Sequence, residues 1–385
     1  MISPHIRELR PAYGFDEVAI VPGEVTVNPE LTDVSLALGG FTFSHPVLAA
    51  DLDAVVDPRF AVAYHQFGGL AVMNLEGLQT RYADPEEALA QILSAGDQES
   101  TAVIQKVYSA PIRPELIGER IRYIKERGAV CAVSATPART KRLAPLAVEA
   151  GADIFVVKAT VTTARHISRS IRGLILSELC EELRAPVLVG NTVTYGATKE
   201  LMETGIAGVL VGVGPGAICT TREVVGVGVP QVTATLDCAA ARDEHYRQTG
   251  RYIPIITDGG MRTGGDVCKA LVAGADAVML GSIFAGTSET PGRGYSWGMS
   301  TPDSQLPRGT RIHVGVHTTM ERLLFGPTSR TDGTENLVGA IHTCMGVCGA
   351  QTVQEFHEAE LVVAPSIKTE GKSHQMRQQA ANLPH

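Results

Sequence analysis

The sequence predicts an α/β protein folded as a (β/α)8 TIM barrel, and three observations carry that prediction. Short apolar runs rich in Val, Ile and Leu recur along the chain, bounded by Gly, Asp or Asn, and alternate with longer amphipathic segments. Strands of this kind, buried on both faces and joined by helices, imply a parallel sheet. Polar residues and glycines gather where the runs end, and in a closed barrel those ends share one rim.

The runs follow in order. HPVLAAD (45–51) ends at Asp51, with Asp53 two residues on, and GGLAVMN (68–74) ends at Asn74. TAVIQKV (101–107) and AVCAVSA (129–135) come next, then DIFVVKA (153–159), which carries Lys158, and PVLVGN (186–191), which ends at Asn191. GVLVGV (208–213) opens a glycine loop, Gly212 to Gly216. IPIITD (253–258) ends at Asp258 before Gly259 and Gly260, and DAVMLG (276–281) ends at Gly281 before Ser282. These nine strand candidates are one too many for an eight-stranded barrel. The stretches PEEALAQIL, RTKRLAPLAVEAGA, TKELMETGIA and GGDVCKALVAGA read as helices, several closing on Ala-Gly-Ala or Thr-Gly before the next strand.

At 385 residues and 44% hydrophobic content the chain can bury a large core, and no low-complexity linker or internal repeat divides it. A formal charge of −8 argues against a nucleic-acid or anionic-membrane surface and leaves a small-molecule partner as the expectation. No signal peptide or membrane-length apolar window stands out, so the cytoplasm is the expected compartment. The seven cysteines are odd in number, scattered, and never spaced CxxC, which fits reduced thiols and gives no zinc signature. CMGVC (344–348) reads as a helical i, i+4 pair. His313 and His317 share that spacing without a third ligand, and read as ordinary polar residues.

Three glycine turns follow three late strands: GVGPGAICTT, TDGGMRTGGD and LGSIFAGT. In a barrel such turns aim backbone N–H groups at one place, a usual seat for phosphate. Asp258, beside the second turn, suits the vicinal hydroxyls of a ribose. The expected ligand is therefore a nucleoside monophosphate.

GVGPGAICTTREVVGVGVPQVTAT closely resembles the catalytic loop of the IMP dehydrogenase and GMP reductase family, and IPIITDGGMRTGGDVCKALVAGADAVMLGSIFAGTSETPG resembles its nucleotide-binding half. A fainter likeness runs from YGFDEVAIVPG at residue 13 to TEGKSHQ. The chain is most similar to short members without a CBS pair, because residues 75–128 are too few to hold one and contain the surplus strand, TAVIQKV, instead. The resemblance implies a single catalytic (β/α)8 barrel domain over residues 1–385, with an N-terminal arm, no CBS insertion, a shortened flap and a C-terminal extension over about 290–385.

By the same resemblance Cys219 attacks C2 of the purine, hydride passes between C2 and a nicotinamide, and Thr221 positions water or ammonia. A thiolate suits this work, being nucleophilic near neutral pH and a good leaving group. The resemblance further implies that carbonyls of Gly214, Gly216 and Cys219 bind potassium, Asp258 holds the ribose, and Gly260, Gly281 and Ser282 hold the phosphate. Asn191 and Gly212 lie near purine and nicotinamide, and Gly298 with Met299 touch the purine edge. The cofactor is NAD, with NADP as the alternative, and the assembly a homotetramer or octamer.

The chain also departs from the family. Ala217 replaces a phosphate-binding serine. The first strand ends ADLD, adding Asp51, and Lys158 stands where the family binds the nicotinamide ribose with an acid. The flap shrinks to STPDSQLPRGTR, leaving Arg308 and Arg311 as candidates for holding water. IMP dehydrogenase activity, oxidising IMP to XMP, is the first reading because arginines remain. GMP reductase, converting GMP and NADPH to IMP and ammonia, is the second because the flap is short. A purine-nucleotide-binding protein with little turnover is the third.

Overall fold

The computed structural model describes residues 9–167, 173–298, 303–367, 369–372 and 374–375. Eight parallel strands close a barrel in sequence order: β1 (Val47–Ala49), β2 (Leu70–Asn74), β3 (Ala132–Ala135), β4 (Ile154–Lys158), β5 (Val187–Thr192), β6 (Gly208–Val211), β7 (Ile255–Asp258) and β8 (Ala277–Leu280), which pairs back to β1. The expected (β/α)8 barrel is the observed fold.

Helices connect the strands. α1 (Pro58–Gln66) follows β1, and α2 (Glu86–Ser94), α3 (Ser100–Tyr108) and α4 (Pro114–Lys125) follow β2. α5 (Pro137–Glu149), α6 (Leu176–Glu182) and α7 (Tyr195–Met202) follow β3, β4 and β5 in turn. α8 (Thr221–Val225) and α9 (Gln231–Thr249) follow β6, α10 (Gly264–Val272) follows β7, and α11 (Ser282–Ala285) follows β8. Several starts carry a side-chain cap: Asp57 accepts from Phe60 N–H, Thr194 from Ala197 N–H and Thr263 from Asp266 N–H.

TAVIQKV is a correction, for it lies inside α3 and is not a strand. Its run of β-branched residues imitates a strand, but Ser100, Ile104, Val107 and Tyr108 fall at helical spacing and are the buried positions. Ile104, Val107 and Tyr108 pack with Leu78, Leu89, Ile92 and Trp297 in a separate small core outside the barrel. CMGVC does close a helix, Leu337–Cys348, as expected.

Alternation along each strand divides the remaining core in two. Leu48, Leu70, Val72, Ile154, Val156, Leu188, Leu210 and Ile256 fill the barrel, while Val47, Ala71, Phe155, Val189 and Ile255 face the helices. A hairpin, Leu36–Leu38 with Phe41–Phe43, adds Leu36, Leu38 and Phe43 to the inner cluster, and Leu38 borders Gly208 at the start of β6. It therefore seals the barrel floor. Against α10 an antiparallel ribbon, Val18–Ile20 with Leu361–Val363, ties the N-terminal arm to the C-terminal segment. Among the described residues no helix is long and apolar enough to cross a membrane.

Candidate active site

The same alternation that points Ile154, Val156 and Ile256 into the barrel points Lys158 and Asp258 into its mouth, one step above the apolar filling. They line a cavity of about 1530 Å³ over the C-terminal ends of the strands. That volume exceeds the usual few hundred to about 1000 Å³ of a single small-ligand site and leaves room for two ligands side by side.

The loop after β6 is shaped by its glycines. Gly212 sits at φ +149°, and a Cβ there would come within 2.5 Å of the Asp258 carbonyl and 2.7 Å of Gln231 Nε2. Gly214 turns at φ +74°, a conformation that disfavours other residues. Cys219 N–H then donates to the Gly216 carbonyl at 3.0 Å. Arg222 staples the loop, its Nε donating to the Val213 carbonyl and its Nη2 to that of Val229. The Cys219 thiol is half-buried and donates to Thr221 Oγ1 at 3.1 Å, and Thr221 is buried at the first turn of α8.

A strap laid across this loop supplies the far wall. Thr220 N–H donates to the Arg308 carbonyl at 3.2 Å, and Thr310 N–H donates to that of Ile218 at 2.9 Å. Arg308 thus borders the cavity together with Cys219 and Thr221. Arg311 does not. It is buried away from the mouth, where its guanidinium donates to carbonyls of Ile92, Leu93 and Ala95 at the end of α2 and lies over the Tyr295 ring.

The other two glycine turns reach the same cavity. Gly259 and Gly260 follow β7 at φ +83° and +84°, and a Cβ on Gly260 would meet Pro215 at 3.0 Å, so this turn packs directly on the cysteine loop. Gly260, Gly281, Ser282 and Gly298 all line the cavity. Met299 lies outside the described residues.

At the centre of the mouth Lys158 Nζ donates to Asp51 Oδ1 at 2.6 Å and pairs with Asp258 Oδ2 at 3.1 Å. Ser134 Oγ donates to Asp51 Oδ2 at 2.7 Å, and Asn191 Nδ2 donates to Asp258 Oδ2 at 2.8 Å. Burial pulls the Lys158 amine down, but Asp258 and Asp51 together outweigh it and hold the ammonium well above its ordinary pKa. Asn191 Oδ1 and Gln231 Oε1 are buried beside the cavity with no protein partner. Asp53 turns the other way. It is buried against Tyr108, whose hydroxyl donates to it, and Trp297 Nε1 donates to that hydroxyl at 2.9 Å.

The sequence brought out Asp51 and Lys158 separately, as departures on two strands 107 positions apart, and nothing in the chain order pairs them. It missed Gln231, whose Nε2 bonds to carbonyls of Val211 and Asp258 at 2.9 Å each. A lone glutamine after a proline carries no signal. Phe15, Asp16 and Glu17 were missed as well, and the arm brings them to the cavity wall.

A closed parallel barrel whose mouth joins a half-buried cysteine, two further glycine turns and a carboxylate–ammonium cluster over one cavity is the architecture of a barrel enzyme acting on a small molecule. Residues 12–301 match the IMP dehydrogenase / GMP reductase domain, and the chain belongs to that family. It is 37% identical to an uncharacterized oxidoreductase of Mycobacterium tuberculosis, over 93% of this chain and 98% of the relative. It is 30% identical to the inosine-5'-monophosphate dehydrogenase of Cryptosporidium parvum, over 88% of this chain and 86% of the relative. The crystal structure of an IMP dehydrogenase/GMP reductase-like protein from Corynebacterium glutamicum superposes with a TM-score of 0.89 at 32% identity, covering 94% of this chain and 96% of that one.

Proposed function

We propose that the protein is an IMP dehydrogenase, oxidising IMP to XMP with NAD and water. One observation carries this reading: the thiol of Cys219, the hydroxyl of Thr221 and the Arg308 strap meet at one wall of a cavity large enough for nucleotide and cofactor together. On this reading residues 1–385 form one catalytic barrel domain, and three helices occupy the interval between β2 and β3 where longer relatives would carry CBS modules.

The residues present fit the groups that the family implies. Asp258 and the buried acceptor of Asn191 face the space for a ribose and purine, while Gly260, Gly281 and Ser282 border the place for the phosphate. Gly212 borders the cavity beside the place for the purine, and a nicotinamide seated there would accept the hydride that leaves C2. Lys158 occupies the strand end from which a cofactor ribose would otherwise be held, and it is tied to Asp51 and Asp258 instead. A potassium ion would lie against the carbonyls of Gly214, Gly216 and Cys219, which are hard neutral donors. The bond from Cys219 N–H takes one lone pair of Gly216 and leaves the other.

Cys219 gives up its proton and its sulfur bonds to C2. After hydride departure the product is a thioimidate on sulfur. Thr221 and Arg308 hold a water against C2; as its oxygen bonds there the C–S bond breaks, and the proton that the water loses passes to the departing sulfur to return the thiol, the proton first given up by Cys219 leaving to solvent. General-base help in such a step is worth about 10² to 10⁴ in rate.

GMP reductase is the second reading, and the burial of Arg311 favours it, since that leaves a single arginine on the strap to serve water. Purified protein given IMP with NAD is expected to gain the absorbance of reduced nicotinamide. Loss of that absorbance with GMP and NADPH, and no gain with IMP, would transfer the assignment to the reductase.

A further inference from the structure

We propose that Lys158 is a ribose-recognition residue: it donates a hydrogen bond to one sugar hydroxyl of the nucleotide and fixes Asp258 so that Oδ1 accepts from the neighbouring one. This rests on the reading of the cavity as a purine nucleoside monophosphate site. The hydrogen-bond inventory leads to it. An ammonium has three N–H donors. One of Lys158's goes to Asp51 at 2.6 Å, a second goes to Asp258 Oδ2 at 3.1 Å, and the third meets only Met279 Sδ at 3.7 Å, a weak acceptor. The side chain keeps 15% exposure and lines the cavity, so the third donor is open to a ligand.

Asp258 is constrained in the complementary way. Its Oδ2 already takes Lys158 and Asn191, the latter at 2.8 Å, which fills that oxygen's two lone pairs and leaves Oδ1 to the cavity. Asp51 is buried and engaged on both oxygens, by Lys158 on Oδ1 and Ser134 on Oδ2. Its part is to hold the ammonium in place rather than to touch the ligand. The sugar therefore meets one donor and one acceptor side by side, fixed from strands β3, β4, β5 and β7. A carboxylate with both oxygens open would offer two acceptors instead. Such a pair distinguishes the two hydroxyls by their roles, since one must accept while the other donates.

The test measures binding of IMP and of its 2'-deoxy and 3'-deoxy analogues to the whole protein by calorimetry, with near-UV circular dichroism recorded for every variant. Wild type is expected to bind IMP about tenfold or more tightly than either analogue, the scale of one hydrogen bond to a charged group. Lys158→Met leaves two carboxylates facing one another. Asp51→Asn/Lys158→Met removes one charge of each sign and is therefore the second variant. In the double variant IMP is expected to weaken about tenfold, while the analogue lacking the lysine-bonded hydroxyl keeps its wild-type affinity. Equal binding of all three ligands by wild type would overturn the proposal, and so would an equal fractional loss for all three in the double variant. Binding of none of them by natively folded wild type would overturn the nucleotide reading itself, and the proposal with it.

Discussion

Cys219 and the other six cysteines differ in surroundings more than in kind. Burial pushes Cys131 and Cys238 up to about 12, and Cys180 and Cys348 up to about 11, so these thiols stay protonated at neutral pH. Cys268, hydrogen-bonded to Cys344 and fully enclosed, is held well above the ordinary thiol value. Its partner Cys344, to which it hydrogen-bonds, is held below the ordinary thiol value and is half-buried. Cys219 is a candidate for alkylation by its place at the cavity, and Cys344, outside it, by its lowered pKa. IMP is expected to slow alkylation of Cys219 and leave Cys344 unaffected, as read by mass spectrometry of the labelled peptides. Cys219→Ala should keep IMP binding and lose turnover. Equal labelling of Cys219 with and without saturating IMP would place the nucleotide elsewhere.

At the scale of elements the two strap arginines separate. Arg311 caps the end of α2 by filling carbonyls of Ile92, Leu93 and Ala95, while Arg308 stands beside the cysteine loop. Removing the Arg311 guanidinium strands those carbonyls, at about 1 to 3 kcal/mol for a buried unpaired group. Arg311→Met should therefore lower the urea midpoint and keep the ratio of NADH burst to steady state. Arg308→Ala should keep stability and slow XMP release, giving a burst of NADH near one per enzyme followed by a weak steady rate. Loss of the burst in Arg308→Ala would mean that this arginine binds substrate instead. The two arginines look alike in LPRGTR, and three residues of extended strap suffice to turn one to the cavity and the other into a helix end.

For the whole molecule, Asp53 links stability to pH. Burial raises its pKa from 3.8 to about 6, although Tyr108 and Leu78 N–H bond to the carboxylate and oppose the shift. A carboxyl raised in the folded state favours the protonated protein. Its contribution is therefore complete below about pH 4 and is lost as pH rises through about 6. At about 1.4 kcal/mol per unit the loss is roughly 3 kcal/mol. The stability of wild type relative to Asp53→Asn, from denaturant unfolding at several pH values, should fall across that window and stay flat above it. A flat difference from pH 4 to 7 would mean that Asp53 is ionised throughout.

The sequence by itself determined the barrel, eight of its strands and the loop that carries the thiol. Those features rest on local chemistry: apolar runs long enough to cross a barrel wall, and glycines at turns where φ is positive, as at Gly214 and Gly260. It also placed polar groups at strand ends, because the strand period sends Lys158 and Asp258 inward wherever the barrel closes. Tertiary structure decided the rest. TAVIQKV became a helix because Ile104, Val107 and Tyr108 found a core with Trp297, a partner nearly two hundred residues away. Asp51, Lys158 and Asp258 became one cluster only when β1, β4 and β7 were brought around one mouth. A salt bridge needs its partners within about 4 Å, and for residues a hundred positions apart that distance is set by the closed sheet and not by the order of the chain.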